Sequence, residues 1–228
     1  MPEAGLAETP PRTLPRGRHA APREVVHASQ RQRLLEAMIA AVADDGYGPV
    51  AVADVIERAG VSRRTFYEHF VDKQHCFLAA YDREVGRVLD AIDHAIAAAS
   101  DPLAAAAAGI RAYLEVLAAH PDAARVFLIE VLAAGPAALA ARGEVHERFA
   151  GQLATVHRRA RRQFPDLPAP RRHRLRACVG AIDALVTEHV RRDGAATLPR
   201  LSAPLVDVTL GLLVGDERTS RLREELQR

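Results

Sequence analysis

Residues 46–70 read GYGPVAVADVIERAGVSRRTFYEHF, and this stretch decides the fold. Val52, Val55, Ile56 and Ala59 fall at i, i+3, i+4 and i+7, the spacing of one apolar helix face. Gly60 stands where a helix closes through a left-handed residue, a conformation that a Cβ disfavours. Ser62 is placed to cap a second short helix, with Val61 before the cap and Phe66 inside it forming a hydrophobic staple. Phe66 and Phe70 turn inward together, which leaves Arg63, Arg64, Tyr67 and Glu68 outside. Two short helices joined by a glycine-containing turn, the second polar and aromatic on its free face, describe a helix-turn-helix. In that motif the first helix braces against the phosphate backbone while the second puts its N-terminal residues into the major groove.

Working outward, Ser29 and Gln32 match a capping box and predict a helix to Asp45 through Leu34, Leu35, Met38 and Val42. Gly46-Tyr47-Gly48-Pro49 stops it. Residues 1–28, with five prolines and no periodicity, read as a disordered arm. Its Arg12, Arg16, Arg18 and Arg23 have the chemistry to enter a minor groove, but Glu3, Glu8 and Glu24 dilute that charge and favour an inert tail. Downstream, Asp72 caps a helix to about Ala98, roughly 40 Å long at its expected rise. Helical segments follow at 102–119, 121–134, 137–163, 170–193 and 203–226, with breaks at His120-Pro121, Gly135-Pro136, Phe164-Pro165 and Asp193-Gly194. No strand-period alternation of useful length and no repeat is present. The expected class is all-α, about nine helices: a three-helix head over residues 29–80 and a helical bundle over 81–228.

The segment AGVSRRTFYEHFVDKQHCFLAAY, following RQRLLEAMIAAVADDGYGPVAVADVIER, resembles the N-terminal region of the TetR family over about fifty residues. Gly46, Ala59-Gly60-Val61-Ser62, Tyr67, Phe70 and Lys73 carry the likeness. The resemblance implies that Arg63, Arg64 and Thr65 face bases or nearby phosphates. It implies backbone contacts for Tyr67 and His69, and a phosphate contact for Lys73. The chemistry agrees, since arginine pairs bidentately with guanine while tyrosine, histidine and lysine give positioning contacts. Two positions depart from the family pattern: Ala51 where a Thr or Ser cap is usual, and Val42 where a Phe is frequent. Residues 31–75 hold six basic and seven acidic residues, so the segment is not basic overall. Arg63, Arg64 and Lys73 nevertheless stand at helix starts, where the helix dipole favours acids.

The same resemblance implies a homodimer on a pseudopalindromic double-stranded DNA operator, released as a repressor by a small-molecule effector, with no cofactor and no metal. In the family the last two large helices pair as a four-helix bundle. The matching face here is Leu175, Cys178, Val179, Ile182, Leu185 and Val186, then Leu205, Val208, Thr209 and Leu212. An ordinary intrachain core is the other reading of that face. Expected pocket walls are Tyr81, Tyr113, Phe127 and Phe149, with Glu130 and His94 as polar fixtures in apolar surroundings.

Other classes find less support. There is no HExxH, GxSxG, P-loop or GxGxxG after a strand, so an enzyme is not expected. A net charge of +2 does not by itself mark a nucleic-acid binder. Cys76 and Cys178 form no paired motif, which argues against a disulfide or zinc site and for a reducing cytoplasm. A thiol-responsive regulator using Cys76 or Cys178 is an alternative, as is a helical interaction module without DNA binding. The arginine-rich run around residues 158–176 reads as a solvated face. No apolar stretch approaches ~18 uninterrupted residues, so no membrane span is expected.

Overall fold

The computed structural model describes residues 22–214. All regular structure among them is helical: α1 Arg23–Asp45, α2 Val52–Ala59, α3 Arg63–His69, α4 Lys73–Ala98, α5 Pro102–Ala119, α6 Pro121–Leu128, α7 Pro136–Gln163, α8 Arg172–Asp193 and α9 Ser202–Leu213. Two 3-10 segments, Glu130–Ala133 and Ala195–Leu201, interrupt the second half. The chain divides into two compact units between Tyr81 and Asp82, within α4.

The first helix begins earlier than the Ser29 capping box predicts. Pro22 stands at the N-cap, Glu24 sits favourably in the first turn, and Val26 N–H bonds the Pro22 carbonyl. Ser29 is buried inside the helix, and Gln32 donates to Glu36 at 2.7 Å instead of reaching back to a cap. Residues 23–28 are therefore helical, not part of an arm. Arg12, Arg16 and Arg18 lie outside the described residues, as do residues 215–226 of the last expected segment.

In the first unit Leu34, Met38, Val42, Val55, Phe66 and Phe77 are fully buried. Phe66 packs on Phe70 at 5.8 Å between ring centroids, and Tyr47 meets Phe77 edge-on at 4.9 Å. Gly60 takes the left-handed conformation (φ 60°, ψ 41°) that closes α2, and the Ser62 hydroxyl accepts from Thr65 N–H at 3.0 Å. Ala51 offers no side-chain acceptor to α2, but Asp54 accepts the Ala51 N–H at 2.7 Å and supplies the return half of a capping box.

In the second unit one core joins α5, α6, α8 and α9 through Ile110, Leu114, Leu128, Val186, Val190, Leu198 and Leu205. A smaller cluster of Ala150, Leu175, Cys178, Val179 and Leu213 joins α7, α8 and α9. Leu175, Cys178, Val179, Val186, Leu205 and Thr209, expected at a dimer face, are thus buried within this chain. By length and composition α5 could cross a membrane, yet Arg111 and Glu115 interrupt it and it packs against α7, α9 and the second 3-10 segment.

The arginine run is a set of clamps more than a free face. Arg159 donates to the carbonyls of Ile96, Ala99 and Ser100 at the end of α4, and Arg161 to that of Leu167. Arg172 and Arg176 share Glu147.

Candidate DNA-reading helix and ligand cleft

α3 is only seven residues long, so its orientation is set by its neighbours. Its inner face carries Phe66, fully buried, and Phe70 follows at the C-cap, with the Arg31 guanidinium over the Phe70 ring at 4.7 Å. Two cations from elsewhere fix α2 beside it. Arg33 of α1 donates to the carbonyls of Ala59 and Gly60 at 2.9 and 3.3 Å, against the negative end of the α2 dipole. Lys73 of α4 donates to the carbonyls of Tyr47, Gly48 and Val50 at 2.8, 3.3 and 2.7 Å, and its ammonium lies 4.2 Å from the centre of the Tyr47 ring.

The outer face of α3 presents Arg63, Arg64 and Tyr67 to solvent. Arg63 lies 5.8 Å from the Tyr67 ring centre, and Arg64 makes an exposed i,i+4 pair with Glu68 at 3.0 Å. That pair is worth little and releases its arginine easily. Thr65 is half-buried, its hydroxyl 2.8 Å from that of Ser62. These four residues fall together at the head of one short helix.

His69 and Lys73 stand apart from them. Lys73 has three ammonium protons and three carbonyl partners, so it holds the turn before α2; burial pulls its pKa below the ordinary lysine value. The His69 ring stacks on His27 of α1 at 4.0 Å, and neither ring nitrogen has a hydrogen-bond partner among the described residues. Burial, then the nearby His27 and Arg31, push its pKa down, against a smaller opposing pull from Glu68.

Two predictions follow from these placements. Lys73→Met removes three charge-assisted bonds and is expected to cost about 1–3 kcal/mol in a urea titration, since the carbonyls can regain water. A loss indistinguishable from zero would contradict the clamp. For His69 the folded pKa is below the unfolded one, so the unfolded chain takes up the proton first as pH falls. Stability is therefore full above about pH 6.5 and declines below it, towards the folded value. His69→Phe should flatten that decline in melting curves recorded between about pH 7 and pH 5.

The second unit holds an apolar cleft of about 630 Å³, counting its open mouth, between α4, α5, α7 and α8. Ile92, Ile96, Ile110, Phe149 and Val179 are among its apolar walls. Gly109 lets α5 approach α4 closely, because a Cβ there would lie 3.2 Å from Ile96 Cγ1. Tyr113 and Phe149, both expected from sequence, line the cleft and meet edge-on at 5.8 Å. Tyr81, His94, Phe127 and Glu130 do not line it: Tyr81 is buried in the first unit and Phe127 in the core of the second.

The polar fixtures are ones the sequence reading missed: His146, Gln152 and Asp183. Asp183 of α8 is paired with Arg142 of α7 and lies 3.5 Å from His146 Nε2. Burial pushes its carboxyl up, but the hydrogen bond from His146 and the charge and hydrogen bond of Arg142 outweigh that and hold it below the usual carboxylate range. Gln152 donates to the Leu89 carbonyl and to Asp93, while its own oxygen is buried without a partner.

Neither thiol is poised for chemistry. Cys76 is buried with its sulfur 3.9 Å from the Leu34 carbonyl, and burial pushes the Cys178 thiol up, partly offset by a hydrogen bond with Thr209.

Comparison with known proteins places this geometry. Residues 34–80 match the family model of bacterial regulatory proteins of the tetR family. The chain is 31% identical over 145 residues to the HTH-type transcriptional regulator EthR of Mycolicibacterium smegmatis, covering 61% of this chain and 60% of that protein. It is 36% identical over 73 residues to the HTH-type transcriptional repressor KstR of the same organism, covering 32% of this chain and 36% of that one. The matched parts thus span less than two thirds of these relatives' length. In fold it resembles the transcriptional regulator FadR of Bacillus subtilis, solved in complex with stearoyl-CoA, with a TM-score of 0.71 at 19% identity over 81% of this chain and 98% of that one. Over residues 34–80 the chain is thus similar to the helix-turn-helix head of the tetR family of bacterial regulatory proteins.

Proposed function

We propose that the protein is a cytoplasmic, sequence-specific DNA-binding regulator that acts as a homodimer and represses transcription until a small molecule occupies its cleft. The observation that carries the DNA reading is the two-sidedness of α3. Phe66 is fully buried, while Arg63, Arg64 and Tyr67 on the opposite face are exposed, and the two arginines stand at the helix start, where stability alone would favour acids. The part up to about residue 80 reads DNA; residues 81–228 bind effector and partner.

Dimerisation follows from the size of the reader, since seven residues contact too few bases for a genomic site. The surface available for it is narrower than the face named from sequence. Ala177, Gly180, Ala184 and Leu185 recur on the exposed side of α8, with Leu212 exposed on α9. Small residues in such a stripe let two copies of α8 approach closely, in a two-fold arrangement. Ile182 and Val208 are partly buried beside it.

The cleft is apolar with a few convergent polar groups, the usual make-up of a small-molecule site. Its effector controls DNA affinity only by binding the DNA-competent and released states unequally. The repressor sense follows the named activity of the KstR relative.

The DNA reading is tested on operator recovered by selection. Arg64→Ala should relax specificity at one base pair, by about 1–3 kcal/mol, while Tyr67→Ala should weaken all sequences alike. Equal binding by wild type and both variants would remove α3 as the reader.

A further inference from the structure

A second cleft lies beside the first, lined by Leu103, Phe164, Leu167, Leu210 and Leu213 among others. Ala106 of α5 and Leu153 and Val156 of α7 line both clefts. Along α7 the lining residues recur as His146, Phe149, Leu153, Val156, Ala160 and, at the C-cap, Phe164. Steps of three and four place them on one face of one helix. From His146 to Phe164, at ~1.5 Å per residue, that face is roughly 27 Å long. α5 runs the same course in reverse, with Leu103 at the second cleft, Ala106 at both, and Gly109 and Tyr113 at the first.

Polarity along this stripe is uneven. His146 and Asp183 stand at the first-cleft end, with Asp183 ionised against Arg142. At the second-cleft end the polar side chains are already committed. His157 Nε2 meets the Pro168 carbonyl at 2.9 Å, and Thr209 donates to the Leu205 carbonyl at 2.7 Å.

We propose that the two clefts are halves of one site for a single elongated, uncharged ligand: a straight hydrocarbon chain ending in a hydroxyl or amide. This rests on reading the first cleft as the effector site. The polar end lies against His146 and Asp183, where a hydroxyl donates to the carboxylate. The chain passes Ala106 and ends between Phe164 and Leu213. A carboxylate head of the same length meets the like charge of Asp183 and binds more weakly.

The test titrates straight-chain primary alcohols, from about six to about fourteen carbons, into the full-length protein by calorimetry. Affinity is expected to climb about fourfold per methylene through most of that range. In Ala106→Phe it stops climbing at a shorter chain. Leu210→Trp, at the second cleft only, gives the same lowered ceiling and stands in where Ala106→Phe fails to fold. The matched carboxylates bind less tightly than the alcohols at neutral pH. Wild type and both folded variants climbing identically overturns the two-cleft site while leaving the first cleft as an effector pocket. No binding of any alcohol, at any length, overturns the elongated ligand and the effector pocket together.

Discussion

Phe66→Ala should cost about 3–5 kcal/mol and abolish DNA binding. The ring is fully buried, lies 5.8 Å from Phe70 and 5.4 Å from Tyr67, and sits on the only apolar face of a seven-residue helix. Such a helix has almost no stability of its own, so its place is held by this packing. Against a typical domain stability of about 5–15 kcal/mol, the loss is a large part of the total. Chemical denaturation checks it, with the midpoint for loss of the helix-turn-helix expected to fall at an unchanged slope. Tyr67→Ala, one residue along and half exposed, is the control and should stay within about 0.5 kcal/mol. Similar losses for both residues would show that α3 is not two-sided in the way described.

Arg142→Met should be nearly as damaging, at about 3–5 kcal/mol, because it strands the Asp183 carboxylate. The two side chains are only 14% and 20% exposed, and Arg142 also donates to the Leu128 carbonyl at 3.2 Å. Removing both charges, in Arg142→Met with Asp183→Leu, should recover most of the loss; the shortfall from additivity measures the pair. The pH dependence has a definite sign. With Arg142 present the Asp183 carboxyl titrates below its unfolded value of about 3.9, so the pair's contribution is present above that pH and is lost as pH falls through the folded value. In Arg142→Met only His146 still opposes burial, so the carboxyl titrates higher than in the wild type and the variant's deficit should shrink on acidification as Asp183 takes a proton. A deficit that does not change with pH would place the cost in packing, not in the unpaired charge.

The parts of this molecule written in local chemistry were readable from sequence. Gly60 and Ser62 act within four residues of their partners, and the structure has them closing α2 and capping α3 as their types require. The inward Phe66 and Phe70 and the outward Arg63, Arg64 and Tyr67 likewise follow from a period of 3.6. The start of α1 lies upstream of the Ser29 capping signal because a proline that looks like loop punctuation also opens a helix, and Ser29 is buried inside it.

What was not legible depends on contacts distant in sequence. Lys73 draws its partners from 23 to 26 residues upstream, so its type suggested a phosphate contact while its neighbours make it a clamp. The cleft's polar groups come from α7 and α8, and Arg142 and Asp183 are 41 residues apart. His146, Phe149, Leu153 and Val156 did carry a helical spacing, but charged residues interleaved on α7 obscured it. On α8 most of the large apolar residues mark the buried side, whereas the exposed stripe, Leu185 apart, is alanine and glycine.

The central claim is that residues 46–70 read DNA as one half of a symmetric pair. Selection of bound sequences from random duplex DNA by the purified full-length protein tests it most directly. The account predicts an enriched pseudopalindrome whose half-sites lie about one helical turn, ~34–36 Å, apart or a multiple of that. Recovery of no motif, with binding that merely weakens evenly as salt rises, would contradict it and leave the helix pair as a packing module.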